Sequence, residues 1–167
     1  MKNEDRHDSQ RGWFAYELYQ HMKKNKDIIL IVGDLGYKVF DKHREDMPHQ
    51  FINTGAAEVA MMDLAVGLAL SDKIPVVYSI TTFLLYRPFE VIRNYINHEN
   101  IPVKLAGSGR DRDYAHDGIS HWADDAESVL KLFPNIHTHF PKEKEEIPNF
   151  METFLYSKHP SFISLTR

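Results

Sequence analysis

Short apolar, β-branched runs alternate along this chain with longer segments whose apolar residues recur at helical spacing. The runs predict strands over 28–32, 50–53, 74–80, 101–106, 136–140 and 162–165. The intervening segments predict helices over about 11–25, 54–70, 88–97, 124–133 and 142–158. Pro88 suits a first helical residue, whereas Pro148 should bend or restart the last helix. Strands that are apolar almost throughout, alternating with helices, imply a sheet buried on both faces. The expected fold is α/β, with three α/β/α layers around a mostly parallel six-stranded sheet. A single domain should cover 1–167, with 1–10 as a flexible N-terminal segment.

The helix after Thr54 stands out. It is apolar nearly all the way round, with Glu58 in its first turn and Asp63 a little further on. A helix without a polar face belongs inside a protein or against a partner. Glu58 is therefore carried to a place where water is scarce, and a carboxylate there needs a bonded partner. A first-turn Glu favoured by the helix dipole is the plainer account of the same residue.

Composition narrows the class only modestly. The chain has 167 residues, 43% apolar and 26% charged, which suits one globular domain. A net charge of −4 with no basic stripe argues against nucleic-acid binding. No apolar run reaches transmembrane length and the start has no signal-peptide core. Zero cysteines exclude disulfides and thiol chemistry. The expected setting is the cytoplasm.

In open parallel sheets, ligands bind beyond the carboxyl ends of the strands. The segments expected there carry Asp34, Glu58, the run Thr81 to Arg87 and the long stretch Gly107 to Asp125. A loop that long in a compact domain is functional or disordered, and its His, Asp and Trp content favours function. No Gly-x-Gly-x-x-Gly or Gly-Lys-Ser/Thr loop is present. The ten histidines include the pairs His116/His121 and His137/His139, neither at a usual zinc spacing, so no metal site is expected within this chain alone.

An ordered series of segments resembles the pyrimidine-binding domain of the transketolase family. Asn53-Thr54-Gly55-Ala56-Ala57-Glu58-Val59-Ala60-Met61 is similar to its Gly-Ile-x-Glu-x-x-Met segment, and Thr82-Phe83-Leu84-Leu85-Tyr86-Arg87-Pro88-Phe89 to its Thr-Phe-x-x-Phe segment. Asp117-Gly118-Ile119-Ser120-His121 resembles Asp-Gly-x-Thr-His, Leu132-Phe133-Pro134-Asn135 resembles Leu-Pro-Asn, and Ser164-Leu165-Thr166-Arg167 the closing strand and arginine. Together they span roughly 27–167.

The resemblance implies a thiamine-diphosphate-binding fold and a set of roles. In the family a glutamate bonds N1′ of the cofactor's aminopyrimidine and promotes the proton transfer that makes thiazolium C2 a carbon nucleophile; Glu58 matches it. Burial suits a carboxylate to that proton exchange by raising its pKa toward the operating range. The role requires that in the assembled particle Glu58 be neither bathed in solvent nor locked to a lysine or arginine. Phe83, Tyr86 and Phe89 would form the pyrimidine pocket, with Tyr86 at the stacking position, and Asp34 would lie near cofactor and substrate. Asp117 and His121 match residues that bond substrate hydroxyls, His121 also aiding proton transfer, and Arg167 matches an arginine that grips a sugar phosphate.

Departures from the pattern shape the functional expectation. The diphosphate-binding region and the C-terminal domain of a transketolase are missing here, and Gly33-Asp34-Leu35 is not the Gly-Asp-Gly metal motif. Family active sites form between diphosphate- and pyrimidine-binding regions, so the resemblance implies half a site. It calls for a separate partner chain, with its Mg2+ or Ca2+, in an α2β2 assembly. The implied reaction moves a two-carbon ketol unit from a ketose to an aldehyde. Gly107-Ser108-Gly109 stands where sugar-phosphate transketolases carry a histidine, which puts a phosphorylated acceptor in doubt. The alternatives are a beta chain of a 1-deoxyxylulose-5-phosphate-synthase-like or 2-oxoacid dehydrogenase or decarboxylase enzyme, or a non-catalytic scaffold.

Overall fold

The computed structural model describes residues 6–167. Six strands lie in the order β2-β1-β3-β4-β6-β5, and every neighbouring pair is parallel. β1 (Ile28–Val32) and β3 (Ile74–Ile80) keep their predicted bounds, while β2 (Phe51–Asn53), β5 (His137–His139) and β6 (Ser161–Leu165) differ slightly. β4 (Lys104–Ser108) begins three residues later than expected. Pro102 has no N–H to give to a ladder, and the Val103 N–H turns back to the Ile101 carbonyl at 2.8 Å. Gln50 is likewise drawn out of β2. Its side-chain amide donates to the carbonyls of Met22, Asn25 and Ile28 at 3.2, 3.0 and 3.0 Å.

The helices are α1 (Gln10–Lys24), α2 (Asp41–Asp46), α3 (Glu58–Leu70), α4 (Thr81–Tyr86), α5 (Phe89–Val91), α6 (Ala126–Leu130) and α7 (Ile147–Tyr156). α2 and α4 were not expected, and α5 runs into a π-helical stretch over Ile92–His98. Pro148 does not bend a long helix. It sits in the first turn of α7, where its missing N–H is harmless. The N-terminal expectation falls partly on residues 1–5, outside those described. At its other end the Ser9 hydroxyl caps α1, and Gln10 is buried with its amide on the Pro141 carbonyl at 3.0 Å.

Alternation along the strands builds two cores. Ile29, Ile31, Val77, Leu105 and Phe162 face α3, the π-helical stretch and α6, with Met61, Met62 and Ile96 packed on them. Ile28, Leu30, Val76, Tyr78 and Ile163 face α1 and α7 through Phe14, Leu18, Met151 and Phe154. At the amino end of β4, buried Lys104 donates from Nζ to the carbonyls of Ser157 and His159, both at 2.7 Å. Burial lowers its pKa to about 8. Among the described residues, no helix is long and apolar enough to cross a membrane.

One buried group makes the second core sensitive to acid. His43 is 0% exposed, its Nε2 meets the Ala15 carbonyl at 3.0 Å and its Nδ1 has no partner. Burial holds its pKa down to about 4, against about 6.5 in an unfolded chain. The unfolded state therefore binds the extra proton between those values, and stability falls as pH drops through that window. Urea titrations at pH 7 and pH 5 should show a loss of about 2 kcal/mol from this group. In His43→Leu that component should vanish.

Candidate functional site

The site residues lie where the strands end. α3 starts after Gly55, which takes φ +70 and brings the chain from β2 into the helix. Glu58 is the first residue of α3, and its side chain is 2% exposed. The buried face of α3 is Met61, Met62, Ala65 and Val66. Its other face stays open, with Val59 at 50%, Leu64 at 37% and Leu70 at 70% exposure. A cavity of about 450 Å³ beside it is lined by Ala56, Ala57, Glu58, Ala60, Asp63 and Arg87 among others.

In the chain by itself Glu58 has a cation beside it. Arg87 Nη1 donates to its Oε1 at 2.8 Å, while the Arg87 side chain is 45% exposed. The cause lies in α4. This short helix ends at Tyr86 and leaves Arg87 over the Phe83 ring, 3.7 Å from its centroid, within reach of the first turn of α3. A shielded carboxylate beside an aromatic face fits a flat nitrogen heterocycle, with the guanidinium holding the position in this chain.

From Phe83 a row of contacts runs across the sheet's carboxyl edge. The His121 ring stands edge-on to Phe83 at 4.8 Å, with Ser120 Oγ at 2.9 Å from its Nδ1. Tyr114 lies 6.1 Å beyond His121, and the Arg167 guanidinium is 5.3 Å from the Tyr114 ring. Tyr114 can lie there because residue 109 is glycine, at φ +82. A Cβ at Gly109 would meet the Tyr114 ring at 2.3 Å. The Tyr114 hydroxyl meets Ser108 Oγ at 3.1 Å and accepts from Arg11 Nη1 at 3.4 Å. Arg11, Tyr78, Ser108 and Tyr114 line a cavity of about 140 Å³, and Arg11 Nε is buried there without a hydrogen-bond partner.

Glu58, Phe83, His121 and Arg167 are thus strung along one row. The other predicted residues take separate stations. Tyr86 turns its hydroxyl to the Asp125 carboxylate, and burial together with that bond raises its pKa. Phe89 leans on Phe133 at 5.1 Å. Asp117 is exposed beside His116. Asp34, at φ 58, accepts from the Tyr37 hydroxyl and from Asn53 Nδ2 at 3.4 Å, and these bonds lower its pKa. Sequence reasoning assigned nothing to Arg87, Arg11 or Tyr114. Arg87 did stand inside the Thr82 to Phe89 segment; Arg11 had no local signal at all.

Residues 9–167 match the family described as transketolase, pyrimidine binding domain. Over 145 residues the chain is 27% identical to one chain of an apulose-4-phosphate transketolase from Actinobacillus succinogenes, covering 86% of this chain and 47% of that one. It is 24% identical over 158 residues to a 6-deoxy-6-sulfo-D-fructose transketolase subunit of a Clostridium species, covering 94% and 49%. A solved split-gene transketolase, described as an inactive beta4 tetramer, superposes with a TM-score of 0.83 at 25% identity, covering 95% of this chain and 51% of the other. The chain spans about half the length of these curated relatives.

Proposed function

From the premise that this chain belongs to the transketolase pyrimidine-binding family, we propose that it is the pyrimidine-binding subunit of a split thiamine-diphosphate enzyme. With a partner chain carrying the diphosphate-binding half and its Mg2+ or Ca2+, it moves a two-carbon ketol unit from a ketose to an aldehyde, in the cytoplasm. The observation that carries this reading is Glu58 itself: a carboxylate 2% exposed at the head of a helix whose far side is open and apolar. The open face of α3 supports a partner interface. The relatives that are themselves subunits, and the split-gene beta tetramer described as inactive, support a separate partner chain, which the proposal joins to this one in an α2β2 assembly.

When bound, thiamine diphosphate supplies the carbon nucleophile. Glu58 bonds the ring nitrogen N1′ and exchanges a proton there. Phe83 lines the pyrimidine slot beside Glu58, and Tyr86 and Phe89, held by Asp125 and Phe133, complete its aromatic wall from the same segment. Asp34 flanks the cofactor where β1 ends. His121, already against Phe83, bonds a substrate hydroxyl and moves a proton, and Asp117 approaches hydroxyls from the same loop. Arg167, with Arg11 across Tyr114, offers planar N–H forks to an anionic sugar substituent.

The test is to isolate this chain with the chain that co-purifies, add thiamine diphosphate and magnesium, and compare ketose cleavage with 2-oxoacid decarboxylation. Ketose cleavage with transfer to an aldehyde is expected. Decarboxylation without ketol transfer moves the protein to a 2-oxoacid enzyme. Failure of the complex to bind the cofactor leaves the scaffold reading.

A further inference from the structure

Arg87 makes two contacts at once. It donates to Glu58 at 2.8 Å and lies 3.7 Å from the centroid of the Phe83 ring. A planar nitrogen group bonded to a carboxylate while it lies over an aromatic ring occupies the same two contacts that a flat nitrogen heterocycle would make in this slot. The reason for the pair is plain on Glu58's side. Its side chain is 2% exposed, and a buried carboxylate without a partner is strongly unfavourable. The arginine is differently placed. With 45% of its side chain already in water, it can leave the slot by turning about its own side-chain torsions.

Resting on the cofactor reading above, we infer that Arg87 is a displaceable placeholder. It fills the pyrimidine slot of the cofactor-free chain and pairs Glu58 there, and it swings to the surface when the aminopyrimidine ring enters. The ring nitrogen N1′, sharing a proton with Glu58, replaces the guanidinium N–H, and one planar face on Phe83 replaces another, so the buried carboxyl group keeps a partner throughout. The affinity for the cofactor is reduced by the fraction of molecules in which the slot is closed. Arg87 is thus a positioning residue, acting through Glu58.

Calorimetric titration of thiamine diphosphate with magnesium into the intact complex tests this without reference to turnover. Arg87→Ala is expected to tighten binding roughly fivefold and to lower the melting temperature of the cofactor-free complex. Adding Glu58→Gln to Arg87→Ala is expected to restore that melting temperature, because no buried carboxylate is left unpaired. Arg87→Gln, which keeps a donor without the charge, provides the same comparison should the alanine variant fail to assemble. If the wild type binds and the Arg87 variants bind equally or more weakly, the placeholder is overturned while the cofactor reading stands. If no version binds, wild type included, both fall together.

Discussion

Glu58→Gln is expected to lower turnover of the assembled enzyme about 100- to 10,000-fold, the range in which a positioned proton-transfer group acts. Folding should barely change. Glutamine keeps the shape and can still accept from Arg87, whose side chain is 45% exposed and loses a pair that water already screens. An ion pair with one partner so exposed is worth at most about 1 kcal/mol, equivalent to about 2–4 °C in a domain of this size. The two readouts therefore separate: steady-state rates collapse while the melting curve stays within a few degrees. A variant that retains full activity refutes Glu58 as the group on the ring nitrogen. A variant that unfolds shows instead that the pair with Arg87 is a structural bond, which its exposure argues against.

What the sequence made legible follows from the range of the interactions involved. The strands at 28–32 and 74–80 are runs of apolar residues bounded by polar ones, and burial on both faces was all they had to encode. Burial of Glu58 was legible for the same reason, since the residues around it leave its helix no polar face. α4 was not. Thr81, Thr82 and Phe83 are β-branched and aromatic and follow β3 without a glycine or proline between, so locally they read as extended. Only packing beneath β4 and α6, with the Thr82 hydroxyl donating to the Ser120 carbonyl at 2.7 Å, turns them into a helix. The angle of that helix decides where Arg87 lands. A contact between residues 29 apart that depends on a helix angle leaves no periodic trace. The loop after β4 shows the same division. Its composition marked it as functional, but its fastening depends on partners 31 and 54 residues away.

That fastening makes Arg110→Met the other substitution of large expected effect. The Arg110 side chain donates from Nε to Ser164 Oγ at 3.1 Å, from Nη1 to the Pro141 carbonyl at 2.9 Å and from Nη2 to the Ser164 carbonyl at 2.5 Å. Asp113 completes the base of the loop by accepting from the backbone N–H of Arg110 at 3.1 Å and of Arg167 at 2.9 Å. Methionine fills part of the volume and supplies no donor, so Ser164 loses the Arg110 donors on its hydroxyl and carbonyl, and the buried Pro141 carbonyl is left with Gln10 alone. A loss of about 3 kcal/mol follows for charge-assisted bonds of this kind, or about 6–12 °C in melting temperature. The loss should be uneven across the molecule. Amide exchange should accelerate over residues 110–123, which carry Tyr114, Asp117 and His121, while β1 and β3 keep their protection. Because His121 reaches Phe83 only from this loop, turnover should fall about tenfold, as a displaced proton-transfer group loses its alignment. Cofactor affinity, set on the far side of Phe83, should stay close to wild type. Uniform loss of protection across both cores would make Arg110 a general stabiliser instead. Unchanged exchange with unchanged rates would remove the loop from the reaction altogether.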